Sequence, residues 1–155
     1  MPRPSARLAR VALCATALAW AAACGSSPSG PSGSSSGNGS LSGTWSGDAT
    51  DSSGPGTMTW SLTDGSGAVR GPATISTPLK SVVLTGTVSG TLNGSTLTWT
   101  IDVPAGGVTG QPSCTVTVSG TATLNGARTG LTGSYSGAGS CTPAFSGGTL
   151  TLTRQ

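Results

Sequence analysis

Acid–base chemistry has little to work with in this 155-residue chain, which holds four carboxylates (Asp48, Asp51, Asp64 and Asp102), no His and no Glu. General acid–base and nucleophilic catalysis need a positioned proton acceptor beside the reacting group. Without His, neither a triad nor a Cys/His zinc site has its material. Two-carboxylate glycoside chemistry would need two aspartates facing each other across a substrate. By the strand pattern set out below, Asp48 and Asp64 fall at strand ends, Asp51 in a loop and Asp102 on an outer face. Only Asp48 and Asp51 can approach one another, and as a pair they suit the shaping of a turn. The expectation is a non-enzyme with no catalytic residue, no metal site and no cofactor.

The other reactive groups are the thiols of Cys14, Cys24, Cys114 and Cys141. Cys24 follows Ala21-Ala22-Ala23, an uncharged apolar run Val11–Ala22, and a positive head of Arg3, Arg7 and Arg10. This is the anatomy of a secretion signal, shorter than the ~20 apolar residues of a membrane span. With Cys24 directly after the small residues, the segment resembles the lipobox of bacterial lipoproteins, with Ala21 where that family usually has Leu. The resemblance implies a diacylglyceryl group on the Cys24 thiol, cleavage before it, and acylation (palmitate) of the new amino terminus. It also implies a membrane partner reached through that lipid, and Gly25 in place of a retaining aspartate points to the outer membrane. Cys14 would leave with the signal.

Residues Gly25–Ser40 are only Gly, Ser, Pro and Asn. Such a run cannot bury apolar surface and behaves as a flexible tether with a reach of roughly 22 Å. The organisation expected is a signal at 1–23, a lipidated cysteine and tether at 24–40, and a folded domain at 41–155. The formal charge of +3 belongs to the three signal arginines, since Arg70, Lys80, Arg128 and Arg154 balance the four aspartates. A chain without a clustered basic face offers nothing to nucleic acid. In an oxidising compartment, Cys114 and Cys141 read as a disulfide.

From Leu41 onward, apolar or glycine positions alternate with Thr and Ser, the period of half-buried strands. Eight strands are expected, near Leu41–Ala49, Thr57–Thr63, Ala68–Ser76, Val82–Leu92, Leu97–Val103, Cys114–Leu124, Leu131–Gly137 and Thr149–Thr153. Asp64-Gly65, Asn93-Gly94 and Asn125-Gly126 carry tight-hairpin chemistry. Eight hairpin-linked strands with few charges to protect an edge suggest an all-β, up-and-down antiparallel barrel, with a two-sheet β-sandwich as the alternative. Inward glycines are expected where strands bend or a bulky side chain crosses the lumen.

Gly43-Thr44-Trp45 opens the first strand and Arg154 closes the last. This pairing resembles the structural signature of the calycin superfamily, the lipocalins and avidins, in which the arginine packs across the tryptophan at the closed end of a barrel. The resemblance implies the barrel, with Gly43, Trp45 and Arg154 as its structural signature; the polar and aromatic set with which avidins hold biotin is not recognisable. The domain's other aromatics are Trp60, Trp99, Tyr135 and Phe145. The leading functional expectation is a structural or interaction lipoprotein, its protein partner unspecified. The alternative is a small apolar or glycan ligand in the barrel mouth against Trp60, Trp99 and Tyr135, since ligand pockets are largely apolar with a few polar groups.

Overall fold

The computed structural model describes residues 40–77 and 81–155. Cys24, the expected signal and the tether up to residue 39 lie outside the described residues. Eight strands follow one another: β1 (Gly43–Asp51), β2 (Gly54–Gly65), β3 (Ala68–Thr77), β4 (Val82–Asn93), β5 (Thr96–Val103), β6 (Val116–Leu124), β7 (Gly130–Gly139) and β8 (Phe145–Arg154). Each pairs antiparallel with the next, and β1 also pairs with β8, so the sheet closes into a barrel in simple up-and-down order. Closure removes the free edges that uncharged Thr-rich strands would otherwise expose. The two-sheet alternative is thereby set aside.

The alternation places one residue set inside and the other in water. In β6, Val116, Val118, Ala122 and Leu124 are buried while Thr117, Ser119, Thr121 and Thr123 are exposed. The same holds in β5, where Leu97, Trp99, Ile101 and Val103 point inward. Sheet pairing thus leaves a single apolar core in the lumen and a hydroxyl-lined exterior.

The barrel's two ends are built differently. At one end a tier of leucines (Leu41, Leu62, Leu92, Leu97, Leu124, Leu131 and Leu152) is buried. The Leu41 N–H donates to Asp64 Oδ2 at 2.9 Å and the Asp64 N–H to Ser42 Oγ at 3.0 Å, fastening the segment before β1 to the end of β2. Trp45 Nε1 donates to the Leu41 carbonyl at 2.8 Å. The Arg154 guanidinium lies 5.4 Å from the Trp45 ring centroid and donates to the Ser42 carbonyl. This end is sealed.

Two local expectations shift. The β2–β3 turn does not sit on Asp64-Gly65; Gly65 pairs with Ala68, and the central residues are Ser66 (φ 58°) and Gly67 (φ 83°). Asp64 is released from turn duty to hold Leu41. In the β6–β7 hairpin Asn125 does begin the turn, accepting the Thr129 N–H on its side chain at 2.9 Å, while Arg128 takes the positive φ of 58°.

At the opposite end, β4 runs past its pairing with β5, and the β5–β6 loop takes the vacated place. The Thr85 N–H donates to the Gly107 carbonyl at 2.7 Å, and the Thr109 N–H to the Val83 carbonyl at 3.0 Å. Cys114, near the end of that loop, is joined by a disulfide to Cys141, in the β7–β8 loop, with Cα atoms 5.5 Å apart and a sequence separation of 27. Loop-closure entropy assigns this crosslink about 3–4 kcal/mol. The Cys114→Ser/Cys141→Ser double variant is therefore expected to lose about that much unfolding free energy in a urea titration. A loss well under 1 kcal/mol would mean that the two loops hold themselves in place.

Candidate binding cavity at the open end

A cavity of about 340 Å³ opens at the end opposite the Trp45–Arg154 seal. Its wall is mostly apolar: Ile75, Val82, Leu84, Val116 and Val118 from the strands, with Val108 from the β5–β6 loop. Phe145 and Tyr135 complete it on the β7–β8 side, and Asp51, Ser52 and Ser53 form a polar rim. The volume lies at the lower end of the range for small-molecule sites.

The aromatic residues form a chain from the barrel centre to this mouth. Trp60 and Trp99 have ring centroids 5.0 Å apart, Trp99 and Tyr135 6.3 Å, and Tyr135 and Phe145 6.2 Å in an edge-on contact. Glycines make the room. A Cβ at Gly120 would sit 2.9 Å from Trp99 Cζ2, one at Gly148 2.6 Å from the Tyr135 ring, and one at Gly137 2.4 Å from Phe145 Cζ. The inward glycines expected from the sequence therefore have specific partners.

Of the three residues expected to meet a ligand, Tyr135 lines the cavity. Trp60 and Trp99 are fully buried, and they fill the lumen beneath it. Trp99 also borders a shallow outer groove between β3, β4 and β5, whose open shape gives a ligand little enclosure.

Phe145 and Asp51 line the cavity at positions where the sequence pattern did not place them. Phe145 owes its position to an irregularity in the β7–β8 ladder, where Tyr135 pairs with Gly148 but Gly137 pairs with Phe145. Simple alternation from Leu150 and Gly148 would have turned Ser146 inward. Gly147, at φ 72°, carries the extra residue, so Ser146 is exposed and Phe145 enters the mouth. A bulge that re-aims one side chain is a usual device at barrel rims. The Ser146-Gly147-Gly148 run inside a strand was its available signal.

Asp51 is not in a loop. It ends β1, paired with Gly54, on the lumen-facing side of the Trp45, Gly47, Ala49 alternation. Its Oδ1 accepts the Ser53 N–H at 2.6 Å, which shapes the β1–β2 turn, and its Oδ2 accepts the Tyr135 hydroxyl at 3.0 Å. Asp48 lies on the exposed face of β1, Asp102 on the exposed face of β5, and Asp64 at the sealed end. No three His, Cys, Asp or Glu side chains gather as metal ligands among the described residues.

Burial first, and then the adjacent Asp51 charge and its hydrogen bond, raise the Tyr135 phenol well above its usual value of 10.0. The folded chain thus holds this proton more tightly than the unfolded chain does. The stabilisation is fully present below pH ~10 and declines as pH rises above it. Tyr135 is the sole tyrosine of the chain, so ultraviolet absorbance reports it without overlap from another phenol. No phenolate band is expected as the folded protein passes pH 10, and Asp51→Asn should bring the transition down. Ionisation at the ordinary value would mean that Tyr135 is neither buried nor held against Asp51 in solution.

No family model, curated protein or solved structure matches the chain.

Proposed function

We propose that this protein is an exported, lipid-anchored binding protein that holds a small, largely apolar molecule in the open end of its barrel. The observation that carries the reading is the 340 Å³ cavity at one end of a lumen that is otherwise filled and sealed. A purely structural role would not need one rim built from two disulfide-linked loops with a bulge turning Phe145 inward. The apolar wall suits an aliphatic or aromatic body better than a glycan, which presents hydroxyls over most of its surface. The Arg154–Trp45 packing supports a calycin-like arrangement, in which the sealed end is the one bearing this pair. The separation of Asp48 and Asp51 onto opposite faces of β1 supports a non-catalytic role.

Binding is tested with N-phenyl-1-naphthylamine, a neutral dye that fluoresces in apolar surroundings. Saturable enhancement at one dye per chain is expected. It should be lost in Ala144→Trp, a substitution at an exposed rim position that leaves the core untouched. Equal enhancement in both proteins would place the dye elsewhere and overturn the reading.

The anchor rests on Cys24 and the small residues before it. Cys24→Ser should abolish incorporation of labelled fatty acid and move the protein from the membrane to the soluble envelope fraction. Unchanged membrane partitioning would refute lipid anchoring. Charge balance in the remaining chain leaves the lipid as the membrane-binding element.

A further inference from the structure

We propose that the open-end cavity selects organic cations, specifically molecules that join an apolar body to a primary ammonium group. This rests on the reading of the cavity as a binding site and adds the chemistry of the ligand's head. The polar atoms at the rim define it. The Tyr135 hydroxyl spends its only proton on Asp51 Oδ2, so the phenol oxygen has acceptor capacity alone to offer a ligand. The Asp51 carboxylate likewise only accepts, and the Ser53 N–H and Tyr135 hydroxyl fix both of its oxygens while leaving lone pairs on each. The cluster therefore presents acceptors and negative charge, the complement of a group with several N–H donors and positive charge.

The aromatic neighbours agree. Tyr135 and Phe145 meet edge-on at 81°, so their planes form a corner rather than a flat stack, and both line the cavity that Asp51 rims. Ring faces attract cations within about 6 Å, most strongly where water is displaced. No Lys or Arg lines the cavity among the described residues, and Asp51 is its one carboxylate. A carboxylate or phosphate ligand would meet Asp51 and the ring faces with like sign. The raised phenol proton affinity keeps Tyr135 neutral and donating to Asp51 across the working range of pH.

Three probes of nearly one shape separate the possibilities: 2-phenylethylammonium, 2-phenylethanol and phenylacetate, titrated calorimetrically into the full chain. The ammonium is expected to bind about tenfold tighter than the alcohol, as a charge-assisted contact in a partly dry site should, and phenylacetate weakest. Asp51→Asn, which keeps one acceptor for the Ser53 N–H, should bring the ammonium to within about twofold of the alcohol, a ratio taken within the variant that cancels any general loss of affinity. Tyr135→Phe keeps the ring but removes the hydroxyl, and should weaken the ammonium more than the alcohol, because the charge-assisted contact is the stronger of the two. Equal binding of ammonium and alcohol would overturn cation selectivity while leaving the cavity as an apolar site. So would a preference that survives in Asp51→Asn. Failure of all three probes to bind, with the neutral dye also excluded, would overturn both readings.

Discussion

The lumen of a closed eight-stranded sheet is just wide enough for side chains to fill, and the rest of this molecule follows from how that volume is shared. Large rings can enter only where the facing strand carries no side chain. Trp99 lies against Gly120, Tyr135 against Gly148, and Phe145 against Gly137. Each pairing joins an aromatic residue to a glycine on a neighbouring strand. The rings then touch one another from the buried Trp60 and Trp99 outward to Phe145 at the rim. Where the aromatic column ends, space remains.

The polarity of the barrel follows from what is placed beyond each end of that column. On one side leucines close the volume, and the chain before β1 is bound there through Asp64, Trp45 and Arg154. On the other side, mostly β-branched aliphatic residues line the wall with Leu84, Tyr135 and Phe145, β4 parts from β5, and two loops joined by the Cys114–Cys141 disulfide form the margin. The disulfide therefore serves two links at once: it restrains the unfolded chain and holds together the segments carrying Val108 and Phe145. Asp51 performs a similar double task, since one oxygen shapes the β1–β2 turn and the other orients Tyr135.

Much of this was legible in the residues. Period-two alternation across Thr-rich runs identified all eight strands and their inward faces, because in a sheet with one wet side burial depends on little else. The cysteine pair was legible for the same reason, since consecutive antiparallel strands bring those ends together. Positions that depend on one residue more or less were not. Asp64-Gly65 carried the composition of a hairpin turn, yet Ser66-Gly67 forms it, as the register of β2 against β3 is set by the buried Met58, Trp60 and Ile75. Phe145 enters the cavity through a bulge that inverts its expected side, and Asp51 moves from loop to lumen because β1 runs two residues past Ala49, where its apolar pattern ends. Among the expected ligand residues, only pairing across the closed sheet could separate Tyr135 at the mouth from Trp60 and Trp99 beneath it.

The central claim is that one end of the barrel binds and the other only seals. The most direct measurement is two-dimensional amide NMR of the full chain during titration with 2-phenylethanol, whose neutral head makes it independent of any charge preference. The expected result is saturable shifts confined to Asp51–Ser53, Val108–Gln111 and Cys141–Phe145, the segments at the cavity margin. Leu41, Asp64 and Arg154 at the sealed end should stay in place. Shifts centred on the sealed end, or spread over the hydroxyl-lined exterior with no saturation, would contradict it.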